Sequence, residues 1–285
     1  MAPQRITNSA LCGAGLGLRM PHLREVIACP PAVSWFEVHI CNFIGSDLNR
    51  ALLRKVRENH DLSFHSVSMN LGGSDPLDLN YLDSLKSMID EFQPALVSDH
   101  LCFTSHGAQH YHDLLPIPLN TAAVHHVADR VKQVQDVLGT QILLENVSRY
   151  YSYDESEISE GEFLRELCAQ TDCYILLDLN NAYVNQYNHG DDIAALLRTL
   201  PADRIREVHL GGHTQGATQL IDSHSESICD DVWQLFESYC QHMAITPTLI
   251  EWDSNMPDFD VLIKEQVRAQ DIMNIHSQKP AHAAR

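Results

Sequence analysis

Side chains that bind metal ions recur at the ends of short apolar segments along this sequence. Neutral imidazole and carboxylate groups are ligands of iron, manganese and zinc. A further pair, Asp222 and His224, follows the seventh apolar segment. In extended chain, two residues at this spacing turn their side chains to the same side. The residues at the ends of the eight segments are Arg19, His39, His65, His100, Glu145, Asp178, His209 and Glu251, and all but Arg19 are of metal-binding types.

Eight apolar segments alternate with amphipathic ones, which is the rhythm of a parallel sheet covered by helices. A helix is predicted over 77–92, with a start signal at Asp75 and Pro76, and another over 121–138, ending at Gly139. We predict a single (β/α)8 TIM barrel over residues 1–278, followed by a disordered tail at 279–285. The predicted strands are 14–19, 34–40, 62–69, 95–101, 141–147, 174–180, 206–212 and 247–253.

All eight carboxyl ends of the strands in such a barrel meet on one face, where these folds place their active sites. Carboxylates and imidazoles that face one another at the top of buried strands are costly unless a cation compensates them. One histidine alone is most simply a hydrogen-bonded core residue. Seven strand ends of the same chemical class instead predict a multinuclear metal site.

Other suggestive residues are interpreted as structural. The glycines of 13–19 lack the spacing of a phosphate-binding loop and predict a tight first strand. We expect His106, His110 and His112 in a loop over the barrel mouth. Surface positions are predicted for His125, His126, Glu162 and Glu166.

Composition excludes several classes of function. The chain has 19 Lys and Arg against 38 Asp and Glu, a net charge of −19, so nucleic acid is disfavoured as a partner. No apolar run is long enough to cross a membrane, and the start does not resemble a secretion signal. The eight cysteines form no CxxC pair and are expected to be buried free thiols. We therefore expect a cytoplasmic protein.

The short sequence motifs at the strand ends resemble those of a known family in their order and spacing. The chain from about residue 13 to 275 is similar to the multinuclear non-haem iron-dependent oxidative enzymes, which were long described as uncharacterised and include the methanobactin biosynthesis oxidase. The motifs are WFEVH (35–39), SFHSV (63–67), LVSDHL (96–101), DLLPIP (113–118), VQDVLG (134–139), LLENVS (143–148), LLDLNNAYVN (176–185), YNHG (187–190), EVHLGGH (207–213), LIDSH (220–224) and PTLIEWD (247–253).

The resemblance implies a xylose-isomerase-like barrel holding two to three iron ions, a mixed-valent Fe(II)/Fe(III) centre. By motif, one iron is bound by His65 and His100, with Glu145 bridging to a second. The second iron is completed by Asp178, His209 and Glu251, and a weakly occupied third is held by Asn181, Asp222 and His224. Candidates for supporting the ligands or contacting substrate are His39, Asn180, His189 and His213.

The resemblance also implies a reaction. Members of the family use dioxygen to oxidise cysteine, or occasionally another residue, in a small ribosomally synthesised precursor peptide that a partner protein usually delivers. One departure from the family stands beside the first motif, where many relatives read Ser-Glu-Asn and this chain has Ile40, Cys41 and Asn42. A carboxylate near the mouth is thus missing. The sequence leaves open whether the chain works as a homodimer or only with a delivery protein.

Three alternatives remain at this point. A zinc phosphodiesterase like endonuclease IV shares the barrel and a similar ligand order, but the net charge and Asn181, where that family has His, oppose it. A sugar isomerase would use more carboxylates and a lysine, and no predicted strand end carries a lysine. A non-catalytic metal-binding or scaffold protein would close its ligand set with protein atoms, whereas nine candidate ligands for up to three ions leave positions open.

Overall fold

The computed structural model describes residues 11–277. The predicted tail at 279–285, and the ends of the predicted domain at 1–10 and 278, lie outside the described residues. The strands, in chain order, are β1 (Ala14–Gly17), β2 (Trp35–His39), β3 (Asp61–His65), β4 (Leu96–His100), β5 (Phe103–His106), β6 (Gln109–Leu115), β7 (Leu143–Glu145), β8 (Tyr174–Asp178), β9 (Ile205–Leu210), β10 (His213–Gln215), β11 (Leu220–Asp222) and β12 (Thr248–Ile250).

Helices follow the barrel strands and cover their outer side. No helix within 11–277 is long and apolar enough to cross a membrane. The α-helices are α1 (Leu23–Ala28), α2 (Asp47–Arg57), α3 (Leu79–Phe92), α4 (Thr121–Leu138), α5 (Glu160–Thr171), α6 (Leu179–His189), α7 (Ile193–Thr199), α8 (Asp230–His242) and α9 (Phe259–Ser277).

Eight strands pair in parallel and close into a barrel in the order β1-β2-β3-β4-β7-β8-β9-β12. This confirms the predicted (β/α)8 fold. The other four strands form two antiparallel hairpins, β5-β6 and β10-β11. The loop predicted for His106, His110 and His112 was therefore wrong, because this segment pairs as the β5-β6 hairpin beyond the end of β4.

Helices α3 and α6 begin at positions that differ from the sequence prediction. Helix α3 begins after Asp78, not after Asp75 and Pro76, because the Asp78 carboxylate accepts hydrogen bonds from the backbone N–H groups of Asn80 and Tyr81. Residues 179 and 180, predicted as the end of a strand, begin α6. The Asp178 side chain caps that helix by accepting from the N–H of Asn181 at 2.6 Å.

The barrel has two apolar cores of unequal size. The larger lies between strands and helices, and the smaller fills the lower bore, where Trp35, Leu143, Leu176 and Leu249 pack together. Gly15 on β1 makes room for this inner core, since a Cβ there would lie 2.3 Å from the Trp35 ring. The glycine-rich start is thus a tight strand, as predicted.

The cysteines are free, but the prediction that all are buried was wrong. Cys12 and Cys29 are exposed, and Cys41 and Cys229 are half-buried. The remaining four lie in the core. The Cys41 thiol contacts the Tyr81 hydroxyl at 3.3 Å.

Candidate metal centre

The upper bore of the barrel is lined by the residues that end the strands. Alternate residues of a strand point to the same side, so the pairing register decides which side chains meet. His39 pairs with His65, His100 with Glu145, and Asp178 with His209. Since the barrel is closed, residues separated by more than 200 positions in sequence come together here.

His65, His100 and Glu145 form the tightest group. The Nε2 atoms of His65 and His100 are 3.2 Å apart, and each lies 3.4 Å from Oε2 of Glu145. A point equidistant from these three atoms lies about 1.9 Å from each, close to the length of a metal–nitrogen bond. Two imidazole nitrogens and a carboxylate oxygen that converge in this way fit a metal ion.

Glu145 also reaches a second group with its other oxygen. Oε1 of Glu145 is 3.9 Å from Nδ1 of His209, which lies 2.9 Å from Oε2 of Glu251. Asp178 joins these three, all with ligand atoms within 4.8 Å of one another. Its Oδ2 is buried and accepts no hydrogen bond from any residue of 11–277. The arrangement allows one carboxylate, Glu145, to bridge two ions.

The third predicted set, Asn181, Asp222 and His224, lies beside these groups. Nε2 of His224 is 2.8 Å from Oδ1 of Asp222 and 3.8 Å from Oδ2 of Asp178. Asn181 buries its Oδ1 without a hydrogen-bond donor among the described residues. These three side chains and Glu251 line the same cavity.

The backbone around His224 is unusual. His224 has a φ of 42°, in the left-handed region that side chains rarely adopt. Gly211 gives the ring its place, because a Cβ there would lie 2.4 Å from Cδ2 of His224. A strained backbone at a residue of a candidate site indicates that its position is fixed by surrounding structure.

The electrostatics of the site show unbalanced buried charge. Burial raises the pKa of Glu145 well above its ordinary value, although His100 and His209 act against this. Burial likewise raises the pKa of Asp178 to about 7. Burial would lower the pKa of His100, but Glu145 and Asp99 raise it to about 9. Without a metal ion, protons must neutralise this cluster.

His65 behaves differently from the other ring ligands. Burial lowers its pKa well below the ordinary value, and the neighbouring His100 lowers it further. Its Nδ1 lies 2.7 Å from the Ser98 hydroxyl. A neutral imidazole whose far nitrogen is held by a hydrogen bond offers its Nε2 lone pair to a metal.

Sequence analysis did not find three carboxylates of this centre. Oε2 of Glu37 is 3.0 Å from Nε2 of His209, and Oε1 of Glu207 is 3.8 Å from the same atom. Asp253 lies 3.4 Å from Nδ1 of His224. Glu207 and Asp253 lie two residues from the predicted ligands His209 and Glu251, and Glu37 lies two residues before His39, so strand alternation could have indicated all three.

Arg19 is the one buried cation of the group within 11–277. Its Nε donates to Asp253 at 2.7 Å and its Nη2 donates to Glu251 at 3.0 Å. Although burial opposes ionisation of Asp253, Arg19 holds the pKa of that carboxyl low, at about 2. Arg19 thereby keeps Asp253 anionic, whereas the pKa of Glu251 is lowered, against the effect of burial, by His224 and His209.

The four residues predicted to support ligands or contact substrate lie at different places. Nε2 of His39 is 3.5 Å from Oε1 of Glu251. His213 contacts Oδ1 of Asn180 at 2.7 Å, and the Asn180 amide donates to Asp222 at 2.8 Å. His189, at the end of α6, contacts the carbonyl of Arg149 and is outside the set of residues that line the cavity.

A cavity of about 340 Å³ connects this centre to the surface. Its floor contains His100, Glu145 and Glu251, and the β5-β6 hairpin supplies Tyr111 and His112 to its wall. His112, predicted only to lie over the mouth, therefore faces the approach to the candidate ligands. A small group or an extended peptide segment can reach them from solvent.

Residues 13–274 match the family of the RiPP precursor modification enzyme MbnB/TglH/ChrH. The chain belongs to this family. Relatives include a UPF0276 protein of Acaryochloris marina, 40% identical over 95% of this chain and 98% of its own length. A UPF0276 protein of Chromobacterium violaceum is 43% identical over 91% of this chain and 94% of its own. As a member of a family of RiPP modification enzymes, the protein is an enzyme that acts on a precursor peptide.

Solved structures at low identity support the fold alone. Endonuclease IV from Thermus thermophilus has a TM-score of 0.59 at 16% identity, covering 94% of this chain and 100% of that one. A D-allulose 3-epimerase from Methylomonas sp. also has a TM-score of 0.59, at 15% identity, covering 98% and 96%. These confirm the xylose-isomerase-like type of barrel that the sequence predicts.

Proposed function

We propose that this family member is a multinuclear iron enzyme that uses dioxygen to oxidise a cysteine in its ribosomally synthesised precursor peptide. The observation that carries the proposal is the convergence of His65, His100 and Glu145 on one point, with Glu145 reaching towards a second group. A donor set of imidazole and carboxylate, without thiolate, suits iron.

The residues that would hold the metal ions are the strand-end histidines and carboxylates described above. Bound iron supplies one-electron chemistry with dioxygen, which no side chain of the chain can provide. The protein fixes the ligands: Ser98 contacts Nδ1 of His65 within hydrogen-bond distance, and the Glu37 carboxylate lies 3.0 Å from Nε2 of His209. Arg19 keeps Asp253 ionised and donates a hydrogen bond to Glu251.

The cavity favours catalysis over a scaffold role. His100, Glu145, Asp222 and His224 all face its open volume of about 340 Å³, so protein atoms do not close the ligand set. A cysteine side chain of a peptide laid against the β5-β6 hairpin can approach this floor. We propose that a partner protein delivers the peptide, because the family resemblance implies such a partner.

An anaerobic preparation tests the proposal. The metal content of the purified full chain is measured, and the protein is then incubated with dioxygen and a cysteine-containing peptide encoded beside its gene. We expect bound iron and a change in peptide mass that requires both iron and dioxygen. Zinc alone, no change in peptide mass and cleavage of abasic DNA would instead establish a phosphodiesterase.

A variant pair makes the assay specific for the centre. Glu145→Gln should abolish the mass change, because it removes the carboxylate shared by two ligand groups. Glu166→Gln, on the exposed face of α5, is the matched control and should retain full activity. Full activity in Glu145→Gln would contradict the proposed ligand assignment.

A further inference from the structure

A second cavity, of about 280 Å³, lies among α5, α6 and α7. Its charged lining comes from Arg149, Glu160, Asp191 and Asp192, and Ser156, Ser159 and Asn185 add uncharged polar groups. The rest of the wall is largely aliphatic and includes Ile158. The metal centre uses none of these residues.

Glu160 is the unusual member of this lining. It is only 9% exposed, yet its carboxylate forms no hydrogen bond or ion pair with any residue of 11–277. The nearest cation, Arg149, pairs with Asp191 instead. Burial raises the pKa of Glu160 to about 7, against the opposing effect of Arg149. A buried carboxylate facing a cavity without a partner is costly unless a ligand compensates it.

The charge of the cavity decides which ligand fits. Asp191 pairs with Arg149, and Asp192 accepts from the N–H of Ala195 and lies 3.8 Å from Arg198. Glu160 is the third carboxylate of the lining and has no such partner among the described residues. An anion would be repelled here, although α5 and α7 both begin at this cavity. An ammonium or guanidinium group would pair with Glu160. The aliphatic wall suits the methylene stem of a lysine or arginine side chain.

Consecutive residues of the chain line the second cavity and the cavity above the metal centre. Ser148 and Asn181 line the first cavity, whereas their chain neighbours Arg149 and Ala182 line the second. Because α5 follows strand β7 and runs back along the barrel, its first residue lies at the face where the strands end. An extended peptide across this face can therefore reach both cavities.

We propose that the second cavity binds a basic side chain of the precursor peptide and thereby positions the peptide over the metal centre. The positioning rests on the proposed function, whereas the binding of a cationic side chain does not. Glu160 supplies the charge-assisted hydrogen bond, and the aliphatic wall contacts the methylene stem.

Two neutral-backbone probes test the binding step in the full chain without dioxygen. N-acetyl-lysine N-methylamide and N-acetyl-norleucine N-methylamide have similar stems and differ in the ammonium group. We expect saturable binding of the lysine probe by calorimetry, and binding of the norleucine probe weaker by about tenfold or more, as a charged hydrogen bond predicts. Equal affinity for the two probes, or no binding of the lysine probe, would overturn the proposal.

Variants locate the binding. Glu160→Gln has the shape of the protonated side chain and should weaken binding of the lysine probe by about tenfold or more. Glu166→Gln, on the same helix, should leave the affinity for this probe unchanged. Ala195→Phe fills the cavity without changing its charge and should also abolish binding. An unchanged affinity in Glu160→Gln would overturn the proposal. Since probe binding is measured without turnover, a peptide that is not oxidised would count against the proposed function alone.

Discussion

Replacing Glu145 with Gln should change stability in opposite directions with and without metal. In the metal-free protein, Glu145 is 1% exposed and its pKa is raised well above normal by burial. A neutral amide of the same shape removes a carboxylate that is costly to bury. We expect the free energy of unfolding of the metal-free variant to be unchanged or higher by about 1–3 kcal/mol.

The metal-loaded protein should respond in the other direction. Oε2 of Glu145 lies 3.4 Å from His65 and His100, and Oε1 lies 3.9 Å from His209. The substitution therefore removes a carboxylate from two groups of candidate ligands. Loss even of a group that only orients a ligand costs about 10–100-fold in metal affinity, so losing the shared ligand should cost at least about 100-fold. That factor corresponds to about 2.7 kcal/mol of metal-dependent stabilisation. For a chain of this length it is roughly 5 °C in melting temperature.

Anaerobic calorimetric scans with and without Fe(II) measure both effects. Adding iron should raise the melting temperature of the parent protein and of Glu166→Gln by several degrees, whereas it should raise that of Glu145→Gln only slightly. If iron raised the melting temperature of Glu145→Gln as much as that of the parent, the proposal that Glu145 is shared by two ligand groups would be refuted. A metal-free variant that melts well below the parent would refute the account of its buried charge.

Three further predictions test other parts of the structure. Since burial raises the pKa of Glu160 from 4.5 to about 7, ionisation of this group destabilises the fold, so its unfavourable effect is absent below about pH 4.5 and develops as pH rises to about 7. Urea unfolding should therefore show Glu160→Gln gaining about 2–3 kcal/mol over the parent between pH 5 and pH 8, and a pH-independent difference would contradict this. Gly211→Ala should displace the His224 ring, which lies 2.4 Å from the new Cβ, and metal analysis should show fewer ions per chain; an undiminished metal content would argue against a ligand role for that ring. Glu37→Gln should weaken iron binding by about 10–100-fold in a competition titration with a chelator, because it removes the negative charge 3.0 Å from Nε2 of His209; an affinity equal to the parent's would exclude this supporting role.

Much of the barrel and most of the centre follow from sequence because strand ends carry information about both. A residue such as His65 ends an apolar segment, so its type and its place in a parallel barrel are predictable together. The β5-β6 hairpin was missed because 109–115 is polar and exposed for most of its length, without an apolar face. Its pairing depends on the segment folding back on 103–106, which local pattern does not encode.

The buried carboxylates that the sequence analysis missed show a different limit. Glu37 lies two residues before His39, so alternation along the strand can indicate the side it faces, whereas its contact with Arg19 joins two segments of the chain and is visible only in three dimensions. Asp178 is instructive in another way. One of its oxygens caps α6, and the other accepts no hydrogen bond from residues 11–277, a double role that follows from a helix beginning directly at a strand end.

One layer lower in the bore, beneath the strand-end residues of the site, the side chains are of two kinds. One kind lies beneath the histidines and the other beneath the carboxylates. The residue two positions before a ligand points to the same side of its strand, one layer lower in the bore. Beneath the histidines these residues are polar, and beneath the carboxylates each one is leucine. The pairs are Glu37 with His39, Ser63 with His65, Ser98 with His100, Glu207 with His209, Leu143 with Glu145, Leu176 with Asp178 and Leu249 with Glu251.

This division has a physical consequence. Polar groups in the lower layer hold the imidazole rings, as Ser98 holds His65 and Glu37 holds His209. Leucines give the anionic ligands nothing that compensates their charge, and Arg19 reaches only the side of the bore near Glu251. Neutralising the carboxylates is therefore left to protons or to metal ions in the layer above. The inner core thus favours a fold that is completed by bound cations, and it does so through residues that never touch them.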